Sequence, residues 1–198
     1  MEFDLKLARW LNEPEKHEES KDKIILYTQG KTDIWQRTYY GASRNNPHAL
    51  LMDTREEEFT FTVKTTFATA SPYDHCGVLL YLDEENWAKA CAEYETDEEQ
   101  TLGSVVTNLG YSDWGGTYIS EKVKRMYYRV SRRGNDFRFE SSTDGESFKQ
   151  MRFFHMFCEH EPLAIGVFAC SPYGESFKAV FEDMKFSPCV WPALPAVE

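Results

Sequence analysis

Phe59-Thr60-Phe61-Thr62-Val63-Lys64-Thr65-Thr66-Phe67 is the stretch that decides the fold. Its first two phenylalanines, Val63 and Phe67 share one face, and the other face is formed by Thr60, Thr62, Lys64 and Thr66. Successive side chains of a strand point to opposite faces, so this pattern predicts a strand with one buried and one solvated face. Helical periodicity is nearly absent from the chain. The stretch therefore predicts a protein built of β-sheet.

The same alternation recurs along the rest of the chain. It predicts further strands over Cys76–Leu82, Trp87–Tyr94, Val123–Arg132, Asn135–Ser142, Leu163–Cys170 and Lys178–Phe186. Turn signals such as Asp83-Glu84-Glu85-Asn86 and Thr143-Asp144-Gly145 separate these runs. Many short strands at this spacing predict an antiparallel sandwich. One helical pattern, over Leu7, Ala8 and Leu11, stops at Pro14 and predicts at most a turn or two.

Length and charge restrict the class of protein. The chain has 198 residues, which favours one domain over residues 1–198, and 41% of them are hydrophobic. The formal charge is -11, because the chain has 33 Asp and Glu residues and only 22 Lys and Arg residues. A surface that binds nucleic acid needs clustered cations and would be a local exception to this negative charge. No nucleic-acid partner is therefore predicted.

The apolar segments and the cysteines indicate a compartment. No window approaches the roughly 20 apolar residues of a membrane span, and Met1–Trp10 carries charges where a secretory leader is apolar. The five cysteines are odd in number and contain no Cys-x-x-Cys. They are expected to be reduced thiols in a cytoplasmic protein without a membrane partner.

Several local phrases, in their order along the chain, resemble those of a known family. They are Trp10-Leu11-Asn12-Glu13-Pro14, Thr32-Asp33-Ile34-Trp35-Gln36-Arg37-Thr38, Asp83-Glu84-Glu85-Asn86-Trp87-Ala88-Lys89-Ala90, Val105-Val106-Thr107-Asn108, Gly110-Tyr111-Ser112-Asp113-Trp114, Arg129-Val130-Ser131-Arg132-Arg133-Gly134 and Ala169-Cys170-Ser171-Pro172. Nearly the whole chain is similar to the "regulation of enolase" proteins of the concanavalin A-like lectin/glucanase superfamily. The resemblance implies an all-β, two-sheet antiparallel jelly-roll sandwich, in agreement with the periodicity. Sugar binding is implied only by analogy of fold.

The strand Trp87–Tyr94 carries the most informative polar pattern. Its three alanines and Tyr94 form a face that can pack between sheets, which leaves Lys89, Cys91 and Glu93 on the other face. In a jelly roll that face commonly lines a concave groove. Lys89 and Glu93 lie about 13 Å apart along the strand, too far to pair directly but suitable for one ligand several ångströms long. The alternative is two solvated charges on an exposed sheet.

The segment Gly110–Gly116 reads as a loop with two aromatic residues and a carboxylate. Tyr111 and Trp114 offer ring faces to a sugar, and Asp113 offers an acceptor for its hydroxyls. The same residues suit a protein contact, or Trp114 closes the end of the sandwich. All three interpretations stay open.

Two further stripes place a guanidinium beside aromatic rings. Trp35, Arg37 and Tyr39 alternate onto one face, so Arg37 can present its edge to an anion or to hydroxyl groups. Arg129, which shares a face with Tyr127, is a weaker case. Such stripes more often close the end of a core.

The catalytic and metal motifs are weak. Glu95, Asp97 and Glu99 have the spacing of the catalytic strand in some glucanases, but this register would bury Glu98, so the strand is expected to end before them. Asp74 and His75 are adjacent and resemble an Asp–His dyad, but the sequence assigns no Ser or Cys nucleophile to it. His155–His160 has no second ligand cluster. No metal and no cofactor are predicted.

The leading hypothesis is a non-catalytic binding module for a carbohydrate or a similar polyhydroxylated ligand. The expected ligand contacts are Trp35, Arg37, His75, Lys89, Glu93, Tyr111, Asp113, Trp114 and Arg129. The first alternative is a protein-protein regulator of an enolase-like glycolytic enzyme, suggested by the family label alone. The second is a glycoside-processing enzyme, which needs two carboxylates at catalytic separation in the groove. The oligomeric state stays open.

Overall fold

A computed structural model describes residues 3–158 and 162–192, and this part of the chain is built of strands and turns. The strands are β1 Arg9–Leu11, β2 Lys16–Ser20, β3 Lys23–Tyr27, β4 Ile34–Gln36, β5 Ser43–Asn45, β6 His48–Thr54, β7 Glu58–Phe67, β8 His75–Asp83, β9 Asn86–Tyr94, β10 Glu99–Asn108, β11 Tyr111–Ser120, β12 Arg125–Arg133, β13 Asp136–Ser142, β14 Lys149–His155, β15 Leu163–Cys170 and β16 Lys178–Ser187. No helix in these ranges is long and apolar enough to cross a membrane.

The strands form two seven-stranded sheets and a small hairpin. Sheet 1 has the order β1-β6-β15-β8-β9-β10-β11, and sheet 2 has the order β14-β13-β12-β7-β16-β3-β2. Neighbouring strands within each sheet are antiparallel. The hairpin consists of β4 and β5. This is the predicted all-β jelly-roll sandwich.

The main hydrophobic core lies between the two sheets. Phe61 and Val63 of β7 are fully buried in it, as the alternation predicts. The alanines of β9, Ala88, Ala90 and Ala92, enter the same core from the opposite sheet. Small side chains let the two layers approach closely there.

A second buried cluster lies on the outer face of sheet 1. Ile34 of β4 is fully buried in it, together with Trp87, Val105 and Phe168 from the sheet. The β4–β5 hairpin therefore covers part of the face that was expected to line an open groove. Burying an apolar hairpin residue on an apolar patch contributes roughly 1.5–3 kcal/mol to holding the hairpin against the sheet.

The main difference from the sequence prediction concerns Gly110–Gly116. This segment is not a loop, because β11 begins at Tyr111 and forms the edge of sheet 1. The turn before it is Leu109–Gly110, and both residues have positive φ, 53° and 75°. Two-residue hairpins require this conformation, but leucine rarely adopts it, so the turn carries no ordinary sequence signal.

The remaining strand predictions are confirmed to within a few residues at their ends. The run Leu163–Cys170 matches β15 at both ends. Near the start of the chain the helical pattern gives one turn, in which the Ala8 amide donates to the Asp4 carbonyl, 3.1 Å. The acidic segment after Tyr94 is a turn, and β10 begins only at Glu99, as expected from the cost of burying Glu98.

Candidate functional site

A cluster of four ionisable side chains lies on the outer face of sheet 1, and we call it the polar pit: Asp33, His75, Lys89 and Glu93. His75 begins β8 and lies directly opposite Glu93 of β9 in the antiparallel register. Lys89 lies four residues before Glu93 on the same face of β9. Asp33 immediately precedes β4, so the hairpin brings it to the sheet from a distant part of the chain.

Lys89 is the buried centre of the polar pit. Its side chain was expected in an open groove, but it is only 4% exposed, since the hairpin covers it. The ammonium group donates to the Ile34 carbonyl, 3.3 Å, and to His75 Nε2, 2.9 Å. Burial favours the neutral amine, but the neighbouring groups, the Asp33 and Glu93 carboxylates among them, outweigh it and raise the pKa of Lys89. Lys89 therefore carries a positive charge inside the protein.

His75 is held neutral in one tautomer. Because the Lys89 ammonium only donates, His75 Nε2 must accept, and the proton lies on Nδ1, which donates to the Tyr73 carbonyl at 2.7 Å. Complete burial and then the charge of Lys89 lower the pKa of His75 to about 3. His75 therefore orients Lys89 and stays uncharged at neutral pH.

Glu93 and Asp33 flank the imidazole ring. Glu93 Oε2 lies 3.5 Å from His75 Nδ1, and Asp33 Oδ1 lies 4.0 Å from His75 Nε2. Their side chains are 20% and 28% exposed, so both carboxylates reach the mouth of the polar pit. Burial raises the pKa of Glu93 to about 7, although Lys89 acts in the other direction. Glu93 therefore takes up and releases a proton near neutral pH.

Three tyrosines that the sequence analysis did not select surround the mouth of the pit. Tyr73 and Tyr173 are 44% and 77% exposed, and their ring centroids are 5.5 Å apart. Tyr40 lies on the hairpin, and its ring centroid is 5.6 Å from that of Trp35. The charge of Glu95 and burial raise the pKa of Tyr73, with smaller contributions from Tyr40, Glu93 and Tyr173. We call Tyr40, Tyr73 and Tyr173 the tyrosine rim.

One sequence signal and one backbone feature point to Tyr73 and Tyr173 of the tyrosine rim. Ser71-Pro72-Tyr73 and Ser171-Pro172-Tyr173 are the same triplet, and they flank the paired ends of β8 and β15. Tyr73 also has a φ of 65°, which is unfavourable for a bulky residue and recurs at binding sites. By contrast, nothing in the sequence brings Asp33 to β8, because that contact depends on how the hairpin folds over the sheet.

Glycines beside the pit form a shallow trough that ends at Trp114. Gly116, Gly103 and Cys91 are neighbours across β11, β10 and β9 on the outer face of sheet 1. A Cβ added to Gly103 would lie 3.1 Å from Trp114 Nε1, so the indole extends over this glycine. Trp114 remains 49% exposed. It offers a ring face on the same side of the sheet as Lys89.

Trp35, Arg37 and Tyr111 come together at the hairpin, but in a different arrangement from the predicted stripe. The strand β4 ends at Gln36, and Arg37 has a φ of 54°, so the alternation with Tyr39 is not realised. The Arg37 guanidinium donates to Glu85 Oε1, 2.6 Å, and lies 5.7 Å from the Tyr111 ring. Trp35 Nε1 donates to the Thr38 carbonyl. The Arg37 contacts fasten the hairpin to the sheet, whereas the Trp35 hydrogen bond lies within the hairpin.

The other two predicted ligand contacts lie away from the polar pit. Asp113 is at the edge of the sandwich, where its carboxylate accepts from Arg152 of sheet 2 at 3.0 Å. Arg129 lies on the outer face of sheet 2, opposite the polar pit, and makes two hydrogen bonds to buried Glu140. Arg129 therefore does not share a site with Lys89. Ligand binding by His75, Lys89, Glu93 and Trp114 stays a prediction.

The polar pit also contains a trio of ligand types suited to a metal ion. Donor atoms of Asp33, His75 and Cys170 lie within 4.8 Å of one another. However, the unprotonated ring nitrogen of His75, Nε2, already accepts a hydrogen bond from Lys89. Burial raises the pKa of the Cys170 thiol well above its ordinary value. A protonated thiol and a neighbouring ammonium group do not fit a cation. In the separate His155–His160 motif, Glu159 and His160 lie outside the described residues.

Several solved structures share the fold. A functionally unknown protein from Saccharomyces cerevisiae matches with a TM-score of 0.87 and 28% identity, over 94% of this chain and 99% of that one. A GH43 protein from Bacillus licheniformis matches with a TM-score of 0.69 and 14% identity, over 93% of this chain and 37% of its own. A xylan β-1,4-xylosidase from Bacillus halodurans matches with a TM-score of 0.68 and 11% identity, over 91% of this chain and 39% of its own. The two bacterial proteins support the fold alone.

Sequence comparison identifies the family. "Regulation of enolase protein 1" of Saccharomyces cerevisiae is 29% identical over 191 residues, which are 96% of this chain and 94% of that protein. The model of the family described as "Protein of unknown function (DUF1349)" matches residues 10–189. The resemblance stated from the local phrases is thereby confirmed. The chain belongs to the DUF1349 family.

Proposed function

We propose that this chain is a non-catalytic binding module that takes a saccharide or a similar polyhydroxylated ligand at the polar pit and the tyrosine rim. One observation carries the proposal: two partly exposed carboxylates, of Asp33 and Glu93, are fixed beside a buried ammonium group and surrounded by exposed rings. Fixed charged groups accept or donate hydrogen bonds to hydroxyl pairs, while aromatic faces cover apolar C–H surfaces.

The electrostatics favour a neutral ligand over an anion. The Lys89 ammonium is already bound to His75 and the Ile34 carbonyl, whereas the carboxylates at the mouth face outward. An anionic ligand would meet Asp33 and Glu93 before it reached the cation. Hydroxyl groups donate to those carboxylates without this repulsion.

The experiment is a glycan array followed by calorimetric titration of each hit. We expect saturable binding that weakens at least tenfold in Glu93→Gln and in Tyr173→Ala, because the first removes a charged acceptor and the second a ring face. The matched controls are Glu18→Gln and Phe157→Ala, which change an exposed carboxylate and an exposed ring away from the pit. Binding unchanged in Glu93→Gln and Tyr173→Ala, or no saccharide bound, contradicts the proposal.

If the chain hydrolysed a bound saccharide, its function would be that of a glycoside-processing enzyme and not that of a binding module. Asp33 and Glu93 are both present in the polar pit, so product analysis by chromatography belongs to the same experiment. Turnover that disappears in both Glu93→Gln and Asp33→Asn is the result expected of a glycosidase, since that chemistry needs two carboxylates. The proposal expects no product with either variant or with the native chain.

A second candidate function is the regulation of an enolase-like enzyme through direct contact. It is supported by the printed name of the yeast relative and by exposed rings at the edge formed by β11 and β14. Trp114, Tyr118 and Phe153 are 49%, 69% and 52% exposed there, and exposed aromatic groups are enriched in protein interfaces. Association with purified enolase that is lost in Trp114→Ala and kept in Tyr173→Ala favours this function over the first.

A further inference from the structure

The outer face of sheet 2 contains a groove lined by cations, although the chain as a whole is acidic. It has a volume of about 430 Å³ and lies on the opposite side of the sandwich from the polar pit. We call it the basic groove, and its lining residues are Lys64, Thr66, Lys122, Val123, Lys124, Arg125 and Thr143. The set contains four cations and no carboxylate, in a chain with a formal charge of -11.

The strand register explains why these cations meet. Val63 and Phe67 of β7 point into the core, so Lys64 and Thr66 point outward from sheet 2. Arg125, the first residue of β12, lies directly opposite Thr66. Lys122 and Lys124 belong to the connection that carries the chain from β11 in sheet 1 to β12 in sheet 2. The groove therefore forms where the chain crosses between the sheets.

Most of this positive charge has no carboxylate partner in the described part of the chain, although Lys124 Nζ lies 5.9 Å from the Tyr94 ring and the Arg125 guanidinium carbon lies 6.0 Å from the Tyr127 ring. In the described ranges, Lys122, Lys124 and Arg125 make no ion pair. Lys64 Nζ is held by Glu182 at 2.7 Å, which fixes its position at one end of the groove. With one carboxylate against four cations, the groove keeps an excess of positive charge.

The carboxylates closest along the chain are engaged elsewhere. Glu121 accepts from the Ser120 hydroxyl, 2.9 Å. Asp144 accepts from the Ser142 hydroxyl and from two backbone amides within its own turn, and these hydrogen bonds hold the pKa of Asp144 well below its ordinary value. Asp144 is thus an ionised carboxylate that stabilises its own turn, and within the described ranges neither it nor Glu121 makes an ion pair with a cation of the groove.

We propose that the basic groove binds a compact multivalent anion of the phosphate class, such as a phosphorylated small molecule. Arg125 supplies a planar fork for phosphate oxygens, Lys122 and Lys124 supply mobile point charges, and Thr66 and Thr143 supply hydroxyl donors. An extended polyanion does not fit, because the adjoining groove around Lys23 is lined by Asp22, Glu182 and Asp183. The positive surface therefore ends after one small ligand.

The test is calorimetric titration of the full chain with inorganic diphosphate at low salt. We expect saturable binding at one site, at least tenfold weaker binding of inorganic monophosphate, and weakening of diphosphate binding at higher ionic strength. The variant Lys122→Gln/Lys124→Gln should bind diphosphate at least tenfold more weakly, since two charge-assisted hydrogen bonds are lost. Both side chains are exposed, so the fold is expected to persist, and thermal unfolding checks it.

The matched control is Lys149→Gln/Lys185→Gln, which removes the same charge from exposed positions of sheet 2 outside the basic groove. It should bind diphosphate as the native chain does, and so should Glu93→Gln of the polar pit. Equal loss in both lysine double variants, or no binding at millimolar diphosphate, overturns the proposal. Tight binding of an RNA oligomer with no binding of diphosphate also overturns it, in favour of an extended ligand.

Discussion

Glu93 and His75 couple the stability of the protein to pH in opposite directions. The pKa of Glu93 rises from an ordinary value of 4.5 to about 7, so the folded chain retains a proton that the unfolded chain releases, and stability falls between pH 4.5 and 7 as pH rises. The pKa of His75 falls from 6.5 to about 3, so stability is lost as pH falls from 6.5 to 3. Between pH 4.5 and 6.5 the two effects offset each other.

The variant Glu93→Gln separates the two effects. Its free energy of unfolding minus that of the native chain should be larger at pH 8 than at pH 5 by on the order of 3 kcal/mol, less the part that solvent screens at the partly exposed carboxylate. Urea denaturation at a series of pH values measures the difference, with Glu18→Gln as the exposed control. The same stability difference from the native chain at pH 5 and pH 8 would contradict the assignment of the titration to Glu93.

Arg129 is a structural residue in this fold, and Glu140 is the group that holds it. The Glu140 side chain is 1% exposed and accepts from Arg129 at 2.7 and 2.9 Å, and Arg138 lies 2.7 Å from the same carboxylate. The Phe148 ring lies 4.1 Å from the Arg129 guanidinium carbon. Two guanidinium groups therefore share one buried carboxylate on the outer face of sheet 2.

Replacing Glu140 by alanine should destabilise the protein by about 3–5 kcal/mol, because both guanidinium groups lose their buried partner. Denaturant unfolding monitored by tryptophan fluorescence measures the loss. Glu57→Ala, at an exposed position before β7, should change stability by no more than about 0.5 kcal/mol. A loss below about 1 kcal/mol in Glu140→Ala would show that the arginines find other partners.

At the scale of the element, the β4–β5 hairpin is fixed to sheet 1 chiefly by Ile34. Its side chain is fully buried in the second cluster, and its carbonyl accepts from Lys89. Ile34→Ala keeps the carbonyl but removes the buried alkyl group. We expect a loss of about 2–5 kcal/mol in the free energy of unfolding.

Hydrogen exchange followed by mass spectrometry locates that loss. Faster exchange in Ile34→Ala should be concentrated in residues 28–46 and in the neighbouring β8–β9 pair, whereas β13 and β14 should keep their protection. The control Val190→Ala truncates a side chain that is 49% exposed. A uniform increase along the whole chain would show that the hairpin is not a separate unit.

The elements that the sequence predicted are those whose alternation is regular. The strands β9 and β15 have an unbroken apolar face, and only Thr65 interrupts that of β7, so the sequence shows which side is buried. The strand β11 was missed because Gly115 and Gly116 lower its strand propensity and Leu109 occupies an unusual turn position. The orientation of Lys89 was predicted, but its burial was not, since the cover comes from Ile34, 55 residues earlier.

At the scale of the whole molecule, none of the five cysteines, all of which lie in the described ranges, forms a disulfide, and four of them are buried. Burial raises the pKa of Cys91 to about 12 and that of Cys76 and Cys170 well above the ordinary value, so these thiols are poor nucleophiles in the folded state. Cys189 is partly exposed. The folded protein should therefore present one accessible thiol.

Titration with a thiol reagent tests this prediction. One cysteine should react rapidly in the native chain, and all five should react after unfolding without a reductant. The Cys189→Ser variant should lose the rapid phase, and the midpoint of thermal unfolding should not change when a reductant is added. Fewer than five reactive thiols in the unfolded chain would indicate a disulfide, contrary to the structure.

The β4–β5 hairpin contributes no residue to the core between the two sheets, whereas it supplies Asp33 and Ile34 to the polar pit. The pit thus joins two parts of the fold, since the sheet supplies His75, Lys89 and Glu93 and the hairpin segment supplies Asp33 and the cover. A change of sequence between Asp33 and Asn46 should therefore reshape the cover, with a loss of stability like that expected for Ile34→Ala, while the core between the two sheets keeps its packing.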